Sequence, residues 1–481
     1  MSDVARRQSP RSTAAPLGIG AERGSGSKAD LREGGQEGGR VKPEEARPAP
    51  TVSQTKQGAE ARNYGWVEGS IWTDRMISAL VNGVKGGRWF SLIDKVSAPR
   101  TLSAAWTKVE ANRGASGVDG QSVERFAARQ EEYLGELSQA LRRGTYQPQA
   151  VRRVEIPKGD GGRRPLGIPT VKDRIVQTAI KLVIEPIFEA MFLPSSFGFR
   201  PGRGSKDALR EVDRLLGEGH VFVVDADLRS YFDSIPHDRL MERVEARISD
   251  GRLLGLLRGY LAQDIFDGMK NWTPTGGTPQ GAVISPLLGN LYLHALDVHL
   301  GEKGHRLVRY ADDFVVLCRS REEAEAALGE VRDWVNANGL TLHPDKTHVG
   351  DCRQPGQGFE FLGYRFEAGR RWVRQSSLDR LKDKVRDKTR RTRGNSLRCV
   401  IDDLNPSLKG WFGYFKHAYR TTFIEVDGFV RRRLRAFLRK QEKRPGNGHC
   451  LDDQKRWPNS FFARQGLFAL HTAYLLARDP R

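Results

Sequence analysis

The chain has 481 residues, more than one hydrophobic core usually organises, so we expect two or three domains. A mean hydropathy of −0.56 and the lack of a long apolar run exclude a membrane span, and the N-terminus lacks the pattern of a secretory signal. The net charge of +20 indicates a polyanionic partner. Four scattered cysteines argue against a disulfide framework or a zinc module and favour a reducing compartment, the cytoplasm.

Residues 1–62 differ in composition from the rest of the chain. They contain no Phe, Trp, Tyr or Cys and are rich in Gly, Ser, Pro, Arg, Gln and Glu. Such a segment cannot bury enough apolar surface to offset its chain entropy. We therefore predict a disordered N-terminal extension over residues 1–62.

The folded part is predicted to begin near Tyr64. Apolar spacing predicts helices over 71–84 and 102–112, and the turn sequence Pro-Lys-Gly-Asp-Gly-Gly predicts a β-hairpin over 151–167. The later elements are predicted in this order: a helix over 172–192, a strand over 221–224 that ends at Asp225 and Asp227, a buried helix over 283–296, a hairpin over 307–318, a helix over 321–338, and strands over 340–342 and 359–366. This order predicts an α+β fold, with an antiparallel sheet and helices on one of its faces.

Two adjacent carboxylates, Asp312 and Asp313, lie at the centre of the predicted hairpin, whose strands are apolar. Negative charge in such surroundings is costly unless a cation neutralises it, and divalent cations prefer carboxylate oxygens. A third carboxylate at a neighbouring strand end would complete a two-metal site, and Asp227 is the candidate. An isolated Asp-Asp pair would be an ordinary turn, so the flanking sequence decides between the two interpretations.

The positive charge is concentrated between Arg365 and Arg444. There, 24 Lys and Arg stand against 9 Asp and Glu, which gives +15 of the net +20. Aromatic residues such as Trp411 are interleaved, and cations with stacking groups between them fit a nucleic-acid backbone and its bases. Beyond residue 377 the pattern predicts basic helices, with a stop and restart at Asn405-Pro406.

Six blocks of sequence, in the right order, resemble the group II intron reverse transcriptases. Two strings of this chain, VVDADLRSYFDSI and RYADDFVVL, resemble the two active-site motifs of that family. A third string, GGTPQGAVISPLLGNLYLHALD, resembles its Pro-Gln-Gly motif and the helix that follows. Its finger and palm blocks are resembled by RRPLGIPTVKDRIVQTAIKLVIEPIFE and SSFGFRPGRGSKDAL, and its maturase domain by LNPSLKGWFGYFKH.

The resemblance extends from about Trp72 to Phe468 and implies a right-hand polymerase fold. This fold consists of fingers, a palm that contains the antiparallel sheet, and an α-helical thumb, which is the maturase domain. The predicted boundaries are 63–368 for fingers and palm, 369–446 for the thumb and 447–481 for the C-terminal tail of the maturase domain. His449, Cys450 and His471 lack metal-ligand spacing, so we expect no zinc-associated endonuclease domain.

The family motifs imply that Asp227, Asp312 and Asp313 are catalytic and bind two Mg²⁺ ions, with Mn²⁺ as an alternative. Asp225 competes with Asp227 because both side chains point to the same face of a strand. The family spacing favours Asp227, since Phe232 follows it by five positions. Asp225 is left with at most a secondary role.

The same resemblance implies a set of nucleotide-binding residues. Phe232 would stack under the sugar and leave no room for a 2′-hydroxyl, which makes DNA the product. Gln280 and Gly281 would contact the nucleotide and template, where glycine allows close backbone approach. Lys346 would protonate the leaving pyrophosphate.

The predicted finger turn carries the expected triphosphate ligands, Lys158 and Arg164. A hairpin that holds both cations over the site could grip a triphosphate, although a solvated basic turn is equally consistent with the spacing alone. Arg163 is adjacent to Arg164, so the choice between these two arginines stays open.

The densest basic cluster of the thumb comprises Arg431, Arg432, Arg433 and Arg435, which we predict to contact phosphates of the intron RNA. The resemblance implies further partners: an RNA template with a DNA primer, dNTPs and the target DNA. The chain is thus expected to be an RNA-directed DNA polymerase and a maturase that promotes splicing and mobility of its intron.

Three other functions are weighed against this one. An RNA-binding splicing cofactor without polymerase activity is disfavoured by the three intact aspartates. A domesticated reverse transcriptase in defence or repair finds no support, because we see no fused domain. An RNA-dependent RNA polymerase is disfavoured by Phe232 and by the Tyr-Ala that precedes Asp312.

Overall fold

The structure is a computed structural model that describes residues 64–84, 86–157, 162–268, 270–392 and 394–478. The predicted disordered extension, residues 1–62, lies outside the described residues. Within the described ranges, no helix is both long and apolar enough to cross a membrane.

The strands of the described residues form three sheets. In chain order they are β1 (Val151–Pro157), β2 (Arg163–Ile168), β3 (Phe222–Asp227), β4 (Ile265–Phe266), β5 (Asn271–Trp272), β6 (Arg306–Tyr310), β7 (Asp313–Cys318), β8 (His348–Asp351), β9 (Phe359–Phe361), β10 (Tyr364–Glu367) and β11 (Arg370–Val373). The finger sheet has the order β2-β1-β4-β5, the palm sheet β6-β7-β3-β8, and the third sheet β11-β10-β9. Both predicted hairpins are confirmed, as β1–β2 and β6–β7.

Helices cover these sheets and form the C-terminal region. In chain order they are α1 (Asp74–Asn82), α2 (Ile93–Val96), α3 (Pro99–Asn112), α4 (Val123–Ala127), α5 (Gln130–Arg143), α6 (Val171–Glu189), α7 (Ser205–Gly217), α8 (Tyr231–Ser234), α9 (His237–Glu245), α10 (Gly251–Leu261), α11 (Ser285–Glu302), α12 (Arg321–Ala337), α13 (Gln375–Lys388), α14 (Leu397–Phe415), α15 (Arg420–Gln441), α16 (Leu451–Arg456), α17 (Asn459–Arg464) and α18 (Leu470–Arg478). Helix α6 begins where the Thr170 hydroxyl accepts a hydrogen bond from the backbone N of Asp173 at 3.1 Å. The predicted α+β class, with an antiparallel palm sheet and a helical C-terminal region, is confirmed.

Alternate residues of β3 and β7 face two different hydrophobic cores. Val224 and Phe314 belong to the core shared with α11 and α12. Val223 and Val315 belong to a second core, shared with α7, the third sheet and the C-terminal helices. The prediction of helices on one face is therefore wrong, because strands that are apolar on both sides must be covered on both faces.

Two predicted strands differ from the structure. The strand predicted over 359–366 is divided into β9 and β10 by Leu362 and Gly363, whose φ angles are 49° and 84°. This turn lets β9 and β10 pair with each other in antiparallel fashion. Residues 340–342 form no strand and contribute only an isolated bridge to the residue after β3.

The predicted helix stop at Asn405-Pro406 is also wrong, since α14 continues through Pro406. Val400, Leu404 and Leu408 lie before and after the proline and are buried in the second core. The packing of this continuous apolar stripe outweighs the one backbone hydrogen bond that proline cannot donate.

Candidate active site

Two strands of the palm sheet bring the predicted carboxylates together. β3 ends at Asp227, β7 begins at Asp313, and these two residues are directly opposed in the antiparallel pairing. Asp312 lies one residue earlier, in the acidic turn (residues 310–313) that joins β6 to β7, where Ala311 has a positive φ of 61°. Opposed residues in such a pair have β-carbons about 5 Å apart, so the side chains of Asp227 and Asp313 lie on the same face at one end of the sheet.

Burial and mutual repulsion oppose ionisation in this group. Burial, followed by the charges of Asp225, Asp312 and Asp227, raises the pKa of Asp313 to about 7. Burial also raises the pKa of Asp225, which His348 partly opposes and Asp227 reinforces. A bound cation would favour the charged forms of such a cluster. Asp225 therefore takes part in the electrostatics of the site.

Lys346 lies beside the first of these aspartates. Its Nζ donates to Asp227 Oδ2 at 2.8 Å, and both side chains are exposed at the surface. The backbone N of His343 donates to the carbonyl oxygen of Asp227 at 2.8 Å, which holds the segment after α12 against the end of β3. The structure thus brings Lys346 to the carboxylates, as its predicted role requires.

The side chains fit a divalent cation by their chemistry. Among the described residues, no three His, Cys, Asp or Glu side chains form a ready-made metal site. The donors of Asp227, Asp312 and Asp313 are nevertheless carboxylate oxygens, the ligands that Mg²⁺ prefers. The ammonium group of Lys346 already lies where a cation would contact Asp227. Metal binding would require these aspartates to turn toward a common point.

Phe232 is half-buried and lies five residues beyond Asp227. Its ring centroid is 5.2 Å from that of Tyr231, whose hydroxyl donates to the carbonyl oxygen of Gly289 in α11 at 2.6 Å. The carbonyl oxygen of Phe232 accepts a hydrogen bond from the backbone N of Thr278 at 2.6 Å. The predicted sugar-contacting ring is therefore held by the palm helix and by the loop before it.

Gln280 and Gly281 lie where the finger hairpin meets the palm. The backbone N of Gly167 in β2 donates to the carbonyl oxygen of Gln280 at 2.6 Å. Gly281 has a φ of 102°, and a β-carbon there would clash with the carbonyl oxygen of Gly167. The Gln280 amide donates to Asp233 Oδ2 at 2.9 Å, and both residues line a cavity of about 250 Å³. Both backbone conformation and close approach require glycine at 281.

The predicted triphosphate ligands are described only in part. Lys158 lies outside the described residues. Arg164 lies in β2 opposite Ile156 of β1, and its side chain is likewise outside the description. Arg163, the alternative, lies at the start of β2 opposite Pro157. The roles of these cations stay predictions.

The basic cluster on α15 divides between the interior and the surface. Arg435 is buried, and its guanidinium donates to the carbonyl oxygen of Trp457 and to Asn459 Oδ1, both at 3.0 Å. Arg433 donates from Nε to Thr389 Oγ1 at 3.0 Å, at the end of α13. The structure therefore does not present Arg435 as an RNA contact, because its donors are used within the thumb.

Arg432 of this cluster and Arg386 of α13 border an aromatic ring. The guanidinium of Arg432 lies 5.2 Å from the Phe429 ring centroid, and that of Arg386 lies 5.4 Å from it. Arg431 lies one residue before Arg432. Burial, followed by neighbouring cations that include Arg386 and Arg432, lowers the pKa of Arg433. We call Arg386, Phe429, Arg431 and Arg432 the Phe429 patch.

A buried polar network beneath the acidic turn was missed by the sequence analysis. Arg309 in β6 is fully buried, and its Nε and Nη2 donate to the two oxygens of Asp297 at 2.6 and 2.5 Å. Its Nη1 donates to Asn290 Oδ1 and to the carbonyl oxygen of Ala311, both at 2.9 Å. Asn290 donates from Nδ2 to the carbonyl oxygen of Gly198 at 2.7 Å. The available signal was an arginine in an apolar strand and an aspartate in an apolar helix.

A groove of about 760 Å³ separates the palm from the thumb and reaches the acidic turn at Tyr310. Leu362 of the third sheet lies on one side, and α13 and α14 contribute Arg380, Lys384 and Trp411. Cations and an aromatic side chain along a groove fit a nucleic-acid strand.

Comparison with known proteins agrees with this geometry. Residues 156–366 match the family model described as reverse transcriptase (RNA-dependent DNA polymerase). Residues 378–457 match the model described as group II intron, maturase-specific domain. The first match contains the palm carboxylates and the second contains the Phe429 patch.

Three relatives show how far the similarity extends. Protein YkfC of Escherichia coli (strain K12) is 36% identical over 318 residues, which are 57% of this chain and 82% of YkfC. The group II intron-encoded protein LtrA of Lactococcus lactis subsp. cremoris is 36% identical over 202 residues, 41% of this chain and 33% of LtrA. The putative COX1/OXI3 intron 2 protein of Saccharomyces cerevisiae is 32% identical over 339 residues, 57% of this chain and 38% of that protein.

A reverse transcriptase palm with opposed carboxylates is followed in one chain by a maturase-specific helical domain. The similarity to one relative extends over most of that relative's length. The chain therefore has the right-hand polymerase fold. It belongs to the group II intron reverse transcriptases with a maturase domain.

Proposed function

We propose that this chain copies RNA into DNA by nucleotidyl transfer at Asp227, Asp312 and Asp313. The observation that carries the proposal is the direct opposition of Asp227 and Asp313 on neighbouring strands, with Asp312 in the adjoining turn. Reverse transcriptases use divalent metal ions, and these carboxylates would hold two Mg²⁺ ions, with Mn²⁺ as the alternative. When bound, such ions activate the primer 3′-hydroxyl and stabilise the leaving pyrophosphate.

The other side chains of the site would bind the dNTP and choose its sugar. Phe232, five residues beyond Asp227, would fill the space that a ribose 2′-hydroxyl needs. Gln280 and Gly281 lie where the finger hairpin contacts the palm, and there they would contact the incoming nucleotide and the template. Lys346 would leave Asp227 when the cations bind and give a proton to the pyrophosphate, while Lys158 and Arg164 would hold the triphosphate.

The nucleic-acid partners would occupy two different surfaces. The groove of about 760 Å³ beside the acidic turn suits the RNA template with its DNA primer. The Phe429 patch on the thumb suits phosphates of the intron RNA, and its cations lie within the maturase-specific match. The target DNA would occupy the same template–primer groove when it takes part in DNA synthesis.

The proposed domain boundaries follow the family motifs and not the two cores, because the second core contains residues of both palm and thumb. We place fingers and palm over residues 63–368, the thumb over 369–446 and the tail of the maturase domain over 447–481. The described part of that tail packs into the thumb, because Trp457, Phe462 and Leu470 are buried in the second core.

Primer extension on an RNA template tests the catalytic assignment. Asp227→Asn, Asp312→Asn and Asp313→Asn should each lower the rate of cDNA synthesis with Mg²⁺ by roughly a thousandfold. Asp333→Asn, which removes one exposed carboxylate from α12, is the matched control and should leave the rate unchanged. Near wild-type synthesis by any of the three palm variants would show that the carboxylate set is assigned incorrectly.

A further inference from the structure

We propose that Arg309, Asp297 and Asn290 form a positioning unit that fixes the acidic turn for catalysis. The proposal rests on the assignment of Asp312 and Asp313 as catalytic residues. None of the three positioning residues needs to touch nucleotide or metal, because they act through the backbone of the turn.

The first step of the argument is the geometry of the guanidinium. Arg309 is fully buried, so each of its donors requires an acceptor inside the protein. Two donors engage the carboxylate of Asp297 in a fork, and two others divide between Asn290 and the carbonyl oxygen of Ala311. Lysine offers no planar fork, so this arrangement is specific to arginine.

The second step concerns the turn itself. Ala311 is a non-glycine residue in the left-handed region, a conformation that persists only where the surroundings impose it. Its carbonyl oxygen is held by Arg309. Its backbone nitrogen is approached so closely by Gly198 that a β-carbon on Gly198 would clash with it. The turn is therefore enclosed from both sides.

The third step concerns the side-chain amide of Asn290, which connects Arg309 on one side of the turn with Gly198 on the other. Asn290 accepts from Arg309 through Oδ1 and donates to the carbonyl oxygen of Gly198 through Nδ2. Asn290 and Asp297 both lie on α11, which thus sets the place of the turn relative to the helix. A shift of this helix or loss of one contact would move Asp312 and Asp313 together.

Stability alone gives a weaker reason for the network. A buried ion pair is often no more stabilising than apolar side chains of similar volume, because desolvation offsets the attraction. A pair that also holds the carbonyl of the acidic turn has a function that apolar side chains cannot replace. Reacting groups displaced by about 1 Å lose roughly a hundredfold in rate, so this holding matters for kcat.

The test compares two buried aspartates that each pair with an arginine. Asp297→Asn weakens the network, and Asp453→Asn weakens the Arg439–Asp453 pair of the thumb, where the carboxylate is also fully buried and the Nη1–Oδ1 distance is 2.7 Å. Asn290→Ala removes the connecting amide and leaves the ion pair. The double variant Arg309→Met with Asp297→Leu removes both buried charges and leaves the turn carbonyl without its donor.

Four quantities are measured on the full chain. They are Tm, kcat and KM for dNTP at saturating template–primer, and hydrogen exchange of the backbone amides of residues 310–313 without added metal. Asp297→Asn and Asp453→Asn should both lower Tm, but only Asp297→Asn and Asn290→Ala should lower kcat, by roughly a hundredfold and tenfold, with KM changed less than about twofold. Exchange in the turn should become faster in the same two variants.

The double variant separates positioning from folding. Its Tm should return toward the wild-type value, because no uncompensated charge remains, while kcat stays low. Recovery of kcat together with Tm would show that the network only stabilises the fold, and the proposal would be overturned. If Asp297→Asn and Asn290→Ala keep full kcat while Asp312→Asn is inactive, the proposal of a positioning unit is wrong and the catalytic assignment stands. If Asp312→Asn and Asp313→Asn are active, the proposed site itself fails.

Discussion

The ring of Phe232 packs so closely on Gly289 of α11 that a β-carbon on Gly289 would lie 3.0 Å from Phe232 Cε1. Such a contact is tighter than most in close-packed interiors, so a methyl group at 289 would displace the ring by a few tenths of an ångström. The helix whose Asn290 accepts a hydrogen bond from Arg309 thus also sets the position of the Phe232 ring.

Gly289→Ala should therefore weaken nucleotide binding. The added methyl group pushes the Phe232 ring away from α11 and toward the space proposed for the sugar. We expect KM for dNTP to rise roughly five- to tenfold, in line with about 1 kcal/mol of overpacking, with a smaller change in kcat. Single-nucleotide extension on an RNA template measures both constants.

Gly329→Ala is the matched control, because Gly329 lies in α12 and a β-carbon there meets nothing within 4 Å. Both substitutions raise helix propensity by about 1 kcal/mol. Only Gly289→Ala should change KM for dNTP. Equal constants for the two variants would mean that the ring adjusts without entering the nucleotide site.

Phe232→Val tests the steric exclusion of ribonucleotides. The smaller side chain leaves space for a 2′-hydroxyl, so incorporation of rNTP relative to dNTP should increase roughly 10- to 100-fold. The ratio of kcat/KM for one rNTP and its dNTP gives the result. An unchanged ratio, with dNTP incorporation intact, would contradict the role of the ring.

His294 gives a pH dependence to stability. Burial lowers its pKa to about 4, with Asp297 opposing the shift and Arg309 adding to it. The unfolded chain binds this proton near its ordinary pKa of about 6.5, so between these values the unfolded state holds more protons. The free energy of unfolding should be constant above about pH 6.5 and should fall as pH falls toward 4.

Denaturant unfolding of wild type and His294→Gln measures this contribution. From about pH 7.5 to about pH 5 the wild type should lose about 2 kcal/mol more than the variant. Identical pH profiles would mean that folding does not lower the pKa of His294.

The strands and the acidic turn could be predicted because their signals are local. Apolar residues on both sides of Asp313 identify a buried strand, and family spacing from Phe232 identifies Asp227. The structure opposes Asp227 to Asp313 on neighbouring strands. The sequence therefore sufficed to find the strand ends that carry these carboxylates, and their catalytic role stays a prediction.

The features that sequence reasoning missed depend on distant partners. Arg435 looked like a surface cation, but its partner Trp457 lies 22 residues away and buries it. Pro406 is predicted to stop the helix, but α14 continues through it and packs into the second core. Arg309 was not noticed because its partner Asp297 lies on another element. Such contacts form only when the chain has folded.

The division of the thumb arginines predicts how RNA binding depends on salt. Arg432 borders the Phe429 ring and the guanidinium of Arg431 lies 3.8 Å from Asp427 Oδ2, whereas Arg435 is bonded inside the thumb. Arg431→Ala with Arg432→Ala should lower the slope of log affinity against log salt by roughly 1.4 to 1.8, for two phosphate contacts. Filter binding of the cognate intron RNA across a salt series measures the slope.

Two further variants test whether the change in salt slope comes from the surface arginines alone and whether splicing needs the palm carboxylates. Arg435→Ala should lower Tm, because it leaves the carbonyl oxygen of Trp457 without its donor, yet the folded variant should keep the wild-type salt slope. Asp312→Ala should bind the intron RNA and support splicing at the wild-type rate, since the intron RNA performs its own chemistry and the protein stabilises its fold. A splicing time course at moderate Mg²⁺ follows that activity. A changed slope in Arg435→Ala would show that RNA binding opens the thumb, and failure of folded Asp312→Ala to splice would show that polymerisation and splicing share the palm.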